Sequence, residues 1–154
     1  MPLTDVLTPE AVLPALKAVS KKQALQELSE QAAKLSGLPE REIFDALLQR
    51  ERLGSTGIGN GVAIPHGKMA KLNQLFGVFA RLDKPIDFES LDGEPVDLIF
   101  LLLAPEGAGA DHLKALSRVA RSLRDPAIAQ KLRKTKDADA LFSLLTQSPT
   151  ASAA

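Results

Sequence analysis

The sequence predicts an α/β fold: a single-domain sandwich in which a mixed central sheet is flanked by helices on both sides. Three observations carry this expectation. Residues 96–103 are almost continuously apolar, as a strand covered on both faces requires. Segments with helical spacing of apolar residues stand before, between and after the candidate strands. A chain of 154 residues, 45% hydrophobic and 25% charged, is long enough to bury one proper core.

The elements follow in order. Ser20-Lys-Lys-Gln23 reads as a capping box, Leu25, Leu28, Ala32 and Leu35 recur at helical spacing, and Gly37 supplies a stop. Pro39 suits the first turn of a second helix with Ile43, Phe44, Leu47 and Leu48 on its apolar face. Gly54 ends that helix, with Arg50 and Arg52 in its last turn. Short strands are expected at Val62-Ala63-Ile64 and at residues 75–82, and Asp92-Gly93 marks a turn before the long apolar strand. Residues 105–109 read as a loop. A third helix over 111–123 would turn Leu113, Leu116, Val119, Ala120 and Leu123 inward. Asp125-Pro126 opens a fourth helix and Asp137 a short fifth one. The domain is expected over 1–147, with 148–154 as a disordered tail.

Composition excludes several functions. Nineteen Lys and Arg balance nineteen Asp and Glu, so the basic excess of a nucleic-acid binder is missing. The basic residues Arg118, Arg121, Arg124, Lys131, Arg133, Lys134 and Lys136 read as the solvated face of two helices. The absence of cysteine excludes disulfides, thiolate metal sites and cysteine nucleophiles, and it fits a cytoplasmic protein. No apolar run is long enough for membrane insertion, and no secretory signal stands at the N-terminus.

The chemistry concentrates in GSTGIGNGVAIPH, residues 54–66. Glycines 54, 57, 59 and 61 allow sharp turns and close approach to a ligand. The stretch is not a P-loop, because five residues separate Gly61 from Gly67 and Lys68 precedes Met69. Nor is it a dinucleotide fingerprint, because it follows a helix and leads into a strand. Ser55 lacks the G-x-S-x-G context of a hydrolase, and the two histidines lack metal-ligand spacing, so neither a metal nor an organic cofactor is implied. What remains is a histidine nucleophile. A neutral imidazole at His66 carries a free lone pair that can attack a phosphoryl group, provided donors neutralise the phosphoryl oxygens. Backbone N–H groups of the glycine loop are candidates for that task. Arg50 is another, although a cation in the last turn of a helix also complements the dipole with no further role. His112 falls in the first turn of the third helix. By spacing alone it reads more readily as a half-buried helix residue than as a second site histidine.

GSTGIGNGVAIPHGK is similar to the phosphorylation-site motif of the enzyme IIA proteins of the bacterial phosphoenolpyruvate-dependent phosphotransferase system, mannitol/fructose type, and most of all to their nitrogen-regulatory branch. Arg50-Glu-Arg-Leu-Gly-Ser-Thr, DGEPVDLIFLLLAP and His112-Leu-Lys-Ala-Leu-Ser resemble family landmarks in the same order, so that the resemblance covers residues 3–147. It implies that His66 accepts a phosphoryl group at Nε2 from an HPr-type phosphocarrier. It further implies that Arg50 contacts that group, that His112 lies beside the ring, and that Gly54, Ser55, Thr56, Gly57, Gly59 and Gly61 shape the surrounding surface. A shallow apolar depression is then expected around His66, with Leu53, Ile58 and Met69 as candidates for it. The implied role is a regulatory switch acting on targets such as a sensor kinase or a potassium transporter. The alternative is a sugar-transport IIA component that passes the group to a IIB domain. A binding module that holds an anion without exchanging it is the remaining reading.

Overall fold

The computed structural model describes residues 2–147. The tail expected over 148–154 lies outside the described residues.

Two 3₁₀ turns, Leu3–Asp5 and Pro9–Ala11, lead into a two-residue strand, β1 (Val12–Leu13). Helix α1 (Lys21–Ser36) starts as its sequence predicts, with Ser20 Oγ accepting the Gln23 N–H at 3.1 Å. Gln23 returns the contact one residue further out than a capping box does, accepting the N–H of Val19 at 2.8 Å. The helix ends on Gly37 in the left-handed region at φ 78°. Helix α2 (Glu40–Arg52) follows, with Pro39 as its N-cap rather than in its first turn.

The glycine-rich stretch is where expectation and structure part. It is not a free loop but a β-hairpin, β2 (Gly57–Gly59) against β3 (Val62–Ala63). At its tip Gly59, Asn60 and Gly61 have φ of 101°, 56° and 80°, a run that glycine and asparagine tolerate best. Strand β4 (His66–Met69) comes directly after. Strands β5 (Phe76–Ile86) and β6 (Val96–Pro105) match the two longer strands expected, each extended by a few residues. Helices α3 (Ala110–Arg124), α4 (Pro126–Lys134) and α5 (Ala138–Thr146) complete the chain. Asp125 and Asp137 cap the last two through their carboxylates.

The strands form one mixed six-stranded sheet in the order β1-β5-β6-β3-β2, with β4 also on β6. Strand β6 is its hub. One edge pairs antiparallel with β5, Phe79 opposite Phe100. The other edge pairs in parallel first with β3, Val62 opposite Leu98, and then with β4, His66 opposite Leu102. Strands β3 and β4 are thus two parts of one track along β6, interrupted at Ile64-Pro65. Every residue from Leu98 to Ala104 is fully buried, so both faces of β6 are covered. Gly67 shows which helix covers one of them: a Cβ there would stand 3.3 Å from Ala46 of α2.

Two apolar residues expected inside point outward, Leu35 and Leu113. In α3 the fully buried stripe is His112, Ala115, Val119 and Leu123, set one position before Leu113. Leu116 and Ala120 pack only at its margin.

Phe100 is fully buried, and its ring lies 6.4 Å from that of Phe79 across the β5–β6 pair. Phe100→Ala is expected to lower the unfolding free energy by about 3–5 kcal/mol in guanidinium denaturation. A loss below about 1 kcal/mol would contradict the position assigned to this ring.

Candidate functional site

The site forms where the β3–β4 track is interrupted. The carbonyls of Gly61 and Pro65 face β6 and accept the N–H groups of Leu98 and Leu102. Strand alternation therefore turns the polar groups of Ile64 to the opposite edge. There its N–H donates to the Thr56 carbonyl at 3.0 Å. Its carbonyl lies beyond the start of β2 and accepts from the imidazole of His66, with Nδ1 at 2.8 Å. A carbonyl can only accept, so Nδ1 carries the proton and Nε2 keeps its lone pair.

That lone pair faces Arg50. Nε of Arg50 donates to His66 Nε2 at 3.2 Å, and its Nη1 donates to the Gly54 carbonyl at 3.0 Å. Arg50 reaches the ring from the last turn of α2. His112 approaches from the first turn of α3. The two rings meet edge to face, with centroids 5.6 Å apart and planes at 73°. His112 is buried, and its Nε2 has no hydrogen-bond partner among the described residues. His66 is partly exposed.

Both imidazoles are held below their ordinary pKa. For His66 burial is the main cause and the Arg50 charge adds to it, while the bond to Ile64 and the charge of Glu51 oppose. For His112 burial again leads, followed by the charges of His66 and Lys68. Neutral rings with available lone pairs are the result near neutral pH.

The structure brings Arg50, His66, His112 and Gly54 together, but not the whole glycine stretch. Thr56 sits behind the ring, its N–H and hydroxyl donating to Glu51 at 3.0 and 2.5 Å. Ser55 donates to the Phe88 carbonyl at 2.7 Å and accepts from the N–H of Gly57. Gly59 and Gly61 lie at the far end of the hairpin, roughly 15 Å along β6 from His66. The tip is held there by Asp92, which accepts the Asn60 N–H, and by Arg133, which donates to the Asn60 carbonyl. The N–H groups of Thr56, Gly57 and Asn60 already have protein acceptors, so these three are not available to an anion. The donor facing Nε2 is a guanidinium instead.

Of the apolar residues expected around the site, Leu53 is 84% exposed beside Gly54, Ile58 is half-buried, and Met69 is buried. Leu113, the chain neighbour of His112, is 69% exposed, although the sequence reading assigned it to the core. Sequence reasoning also missed Glu51 and Lys21, whose ion pair of 2.9 Å lies directly behind Thr56. Only the position of Glu51 next to Arg50 could have signalled it.

Fold and site together define an α/β protein with two neutral imidazoles and a guanidinium converging at an accessible sheet edge. Residues 5–148 match the family described as "Phosphoenolpyruvate-dependent sugar phosphotransferase system, EIIA 2". The chain is 66% identical over 153 residues to a nitrogen regulatory protein of Bradyrhizobium diazoefficiens, covering 99% of this chain and 100% of the relative. It is 44% identical over 145 residues to that of Escherichia coli K12, covering 94% and 89%. The crystal structure of nitrogen regulatory protein IIA-Ntr from Neisseria meningitidis superposes with a TM-score of 0.89 at 37% identity, covering 94% of this chain and 99% of that one. The chain belongs to the EIIA 2 family, the components of a phosphoryl-transfer system. Within that family the identity is higher to these nitrogen regulatory proteins, 66% and 44%, than to a fructose-specific EIIA component of Haloferax volcanii, 32% over 96% of this chain, which supports a regulatory role.

A histidine whose folded pKa is depressed binds fewer protons than it does in the unfolded chain below the ordinary value. The stability it contributes is present above about pH 6.5 and is lost as pH falls toward the folded pKa. Both His66 and His112 have this sign. NMR titration should give a midpoint below about 6.5 for each ring, with unfolding free energy decreasing from pH 7 downward. A midpoint above about 6.5 for either ring would overturn the assignment.

Proposed function

We propose that Nε2 of His66 takes a phosphoryl group from the phosphohistidine of an HPr-type phosphocarrier, and that the charge so gained switches the binding of regulatory targets. The observation that carries this reading is the double hold on the ring. The Ile64 carbonyl keeps the proton on Nδ1, and the Arg50 guanidinium marks the place where the phosphoryl oxygens would arrive.

The step balances without an added reactant. The Nε2 lone pair attacks phosphorus, the N–P bond of the donor breaks, and its electron pair returns to the donor imidazole. Nδ1–H stays on the Ile64 carbonyl throughout. Arg50 Nε turns from the lone pair to a phosphoryl oxygen, and Nη2, which makes no hydrogen bond among the described residues, is free to take a second. His112 Nε2 stands ready to share the hydrogen-bonding load beside the phosphorylated ring. Leu53, beside Gly54, supplies exposed apolar surface that a docking protein can cover to exclude water.

Phosphorylation adds nearly two negative charges where the resting site presents Arg50, Lys68 and two imidazoles. A partner that fits one state of this surface is disfavoured by the other. A sensor kinase or a potassium transporter is the kind of target proposed, in the same compartment as the phosphocarrier. No helix among the described residues is long and apolar enough to cross a membrane.

Incubation with phosphoenolpyruvate, enzyme I and an HPr-type carrier is expected to label the protein in an acid-labile, base-stable form. His66→Ala should abolish the label, and equal labelling would refute the acceptor assignment. Arg50→Gln should slow transfer by about 10- to 100-fold, the size of one charge-assisted hydrogen bond to the phosphoryl group. Onward transfer to a sugar-specific IIB domain would instead favour the sugar-transport reading.

A further inference from the structure

Glu51 does not touch the imidazole, yet hydrogen bonds connect it to Nδ1, and its chain neighbour Arg50 reaches Nε2. Its side chain is only 5% exposed, and it collects three donors: Lys21 Nζ at 2.9 Å, the Thr56 N–H at 3.0 Å and the Thr56 hydroxyl at 2.5 Å. These residues come from the start of α1, the last turn of α2 and the segment leading into the hairpin. Lys21 is fixed in turn, with its ammonium 5.0 Å from the centre of the Phe88 ring. A buried ion pair of this kind is weak evidence of a contribution to stability, because apolar side chains can fill such a space as well. Its place in the hydrogen-bond network suggests another use.

One route runs to Nδ1. Glu51 holds Thr56, the Thr56 carbonyl accepts the Ile64 N–H at 3.0 Å, and the Ile64 carbonyl accepts Nδ1–H at 2.8 Å. The other runs to Nε2. Glu51 anchors the final turn of α2, and the neighbouring Arg50 spans from the Gly54 carbonyl to the ring. If Thr56 shifts, the Ile64 peptide shifts with it and the ring loses the acceptor that selects its tautomer. If the end of α2 shifts, the guanidinium leaves the lone pair.

We propose that Glu51, clamped by Lys21 and Thr56, is a positioning residue that keeps the His66 ring in the tautomer and orientation needed for phosphoryl acceptance. This inference rests on the proposed role of His66. The clamp acts through Thr56 and Arg50 and makes no contact with the incoming group.

The test combines two readouts on the full chain. Long-range ¹H–¹⁵N NMR reports the imidazole tautomer directly, well above the titration of the ring. Transfer from a phosphorylated HPr-type carrier reports the rate. The unsubstituted protein should show the Nδ1–H tautomer of His66 as the dominant form. Glu51→Gln and Thr56→Val should each give a mixture of tautomers and reduce the maximal transfer rate by about 10- to 100-fold, with little change in the half-saturating carrier concentration. Thr56→Ser, which keeps the hydroxyl, should restore both. If Glu51→Gln does not fold, the Val and Ser pair at position 56 decides. Folded variants that keep the tautomer and the rate overturn the proposal, even if they melt at lower temperature. Equal losses in Thr56→Val and Thr56→Ser overturn it as well, because packing would then explain them. Failure of the unsubstituted protein to accept phosphate at His66 would refute the functional reading, while the tautomer measurement would still judge the clamp.

Discussion

The hydrogen bond from His66 Nδ1 to the Ile64 carbonyl decides what the site can do. It exists because the chain runs along β6 in two parts. Alternation sends the carbonyls of residues 61 and 65 to β6 and that of residue 64 to the other edge, where β2 does not yet reach. Pro65, whose carbonyl faces β6, has no N–H to complete the pairing there. An acceptor without a strand partner and a ring two residues away then satisfy each other. The tautomer of a surface histidine is thereby settled by sheet geometry rather than by a dedicated carboxylate.

The electrostatics follow from the same placement. Burial and a guanidinium against Nε2 both disfavour a proton on His66. Glu51 works against them from behind, so the ring is kept neutral without being surrounded only by positive charge. Burial leads for both rings, and at His66 the Arg50 guanidinium adds to it, whereas His112 sits on the inner stripe of α3. An arriving phosphoryl group would turn the Arg50 charge, which disfavours a proton on the bare ring, into an attraction, since a guanidinium is a donor and a cation suited to a dianion.

Much of the fold was legible because its signals are local. Ser20, Gly37, Asp125 and Asp137 mark helix ends through contacts within four residues, and the apolar run in β6 can only be a covered strand. The strands β1, β2 and β4 were not legible. They have two to four residues each, so alternation has no length in which to show, and the partners of β1 and β4 lie far along the chain. The same limit produced the misplaced glycines. Gly59 and Gly61 read as ligand-binding residues, but the structure uses their positive φ to turn a hairpin at the opposite end from His66. The motif pointed to Arg50, His66 and His112, and tertiary contact brings them together. The Lys21–Glu51–Thr56 cluster was invisible because the residues at its ends are 35 positions apart in sequence.

Gly67 shows how the two sides of the site are tied to one strand. Successive side chains on β4 point to opposite faces, so Gly67 faces α2 while His66 faces the side from which α3 brings His112. Arg50 therefore has to come over the sheet edge from the far face, and it can do so only if the end of α2 lies close to β4. A Cβ at position 67 would press on Ala46, one turn before Arg50. The backbone there is ordinary, so the glycine matters through packing distance rather than through conformation. The residue after the histidine thus belongs to the site without facing it: its missing side chain sets how far the guanidinium must reach.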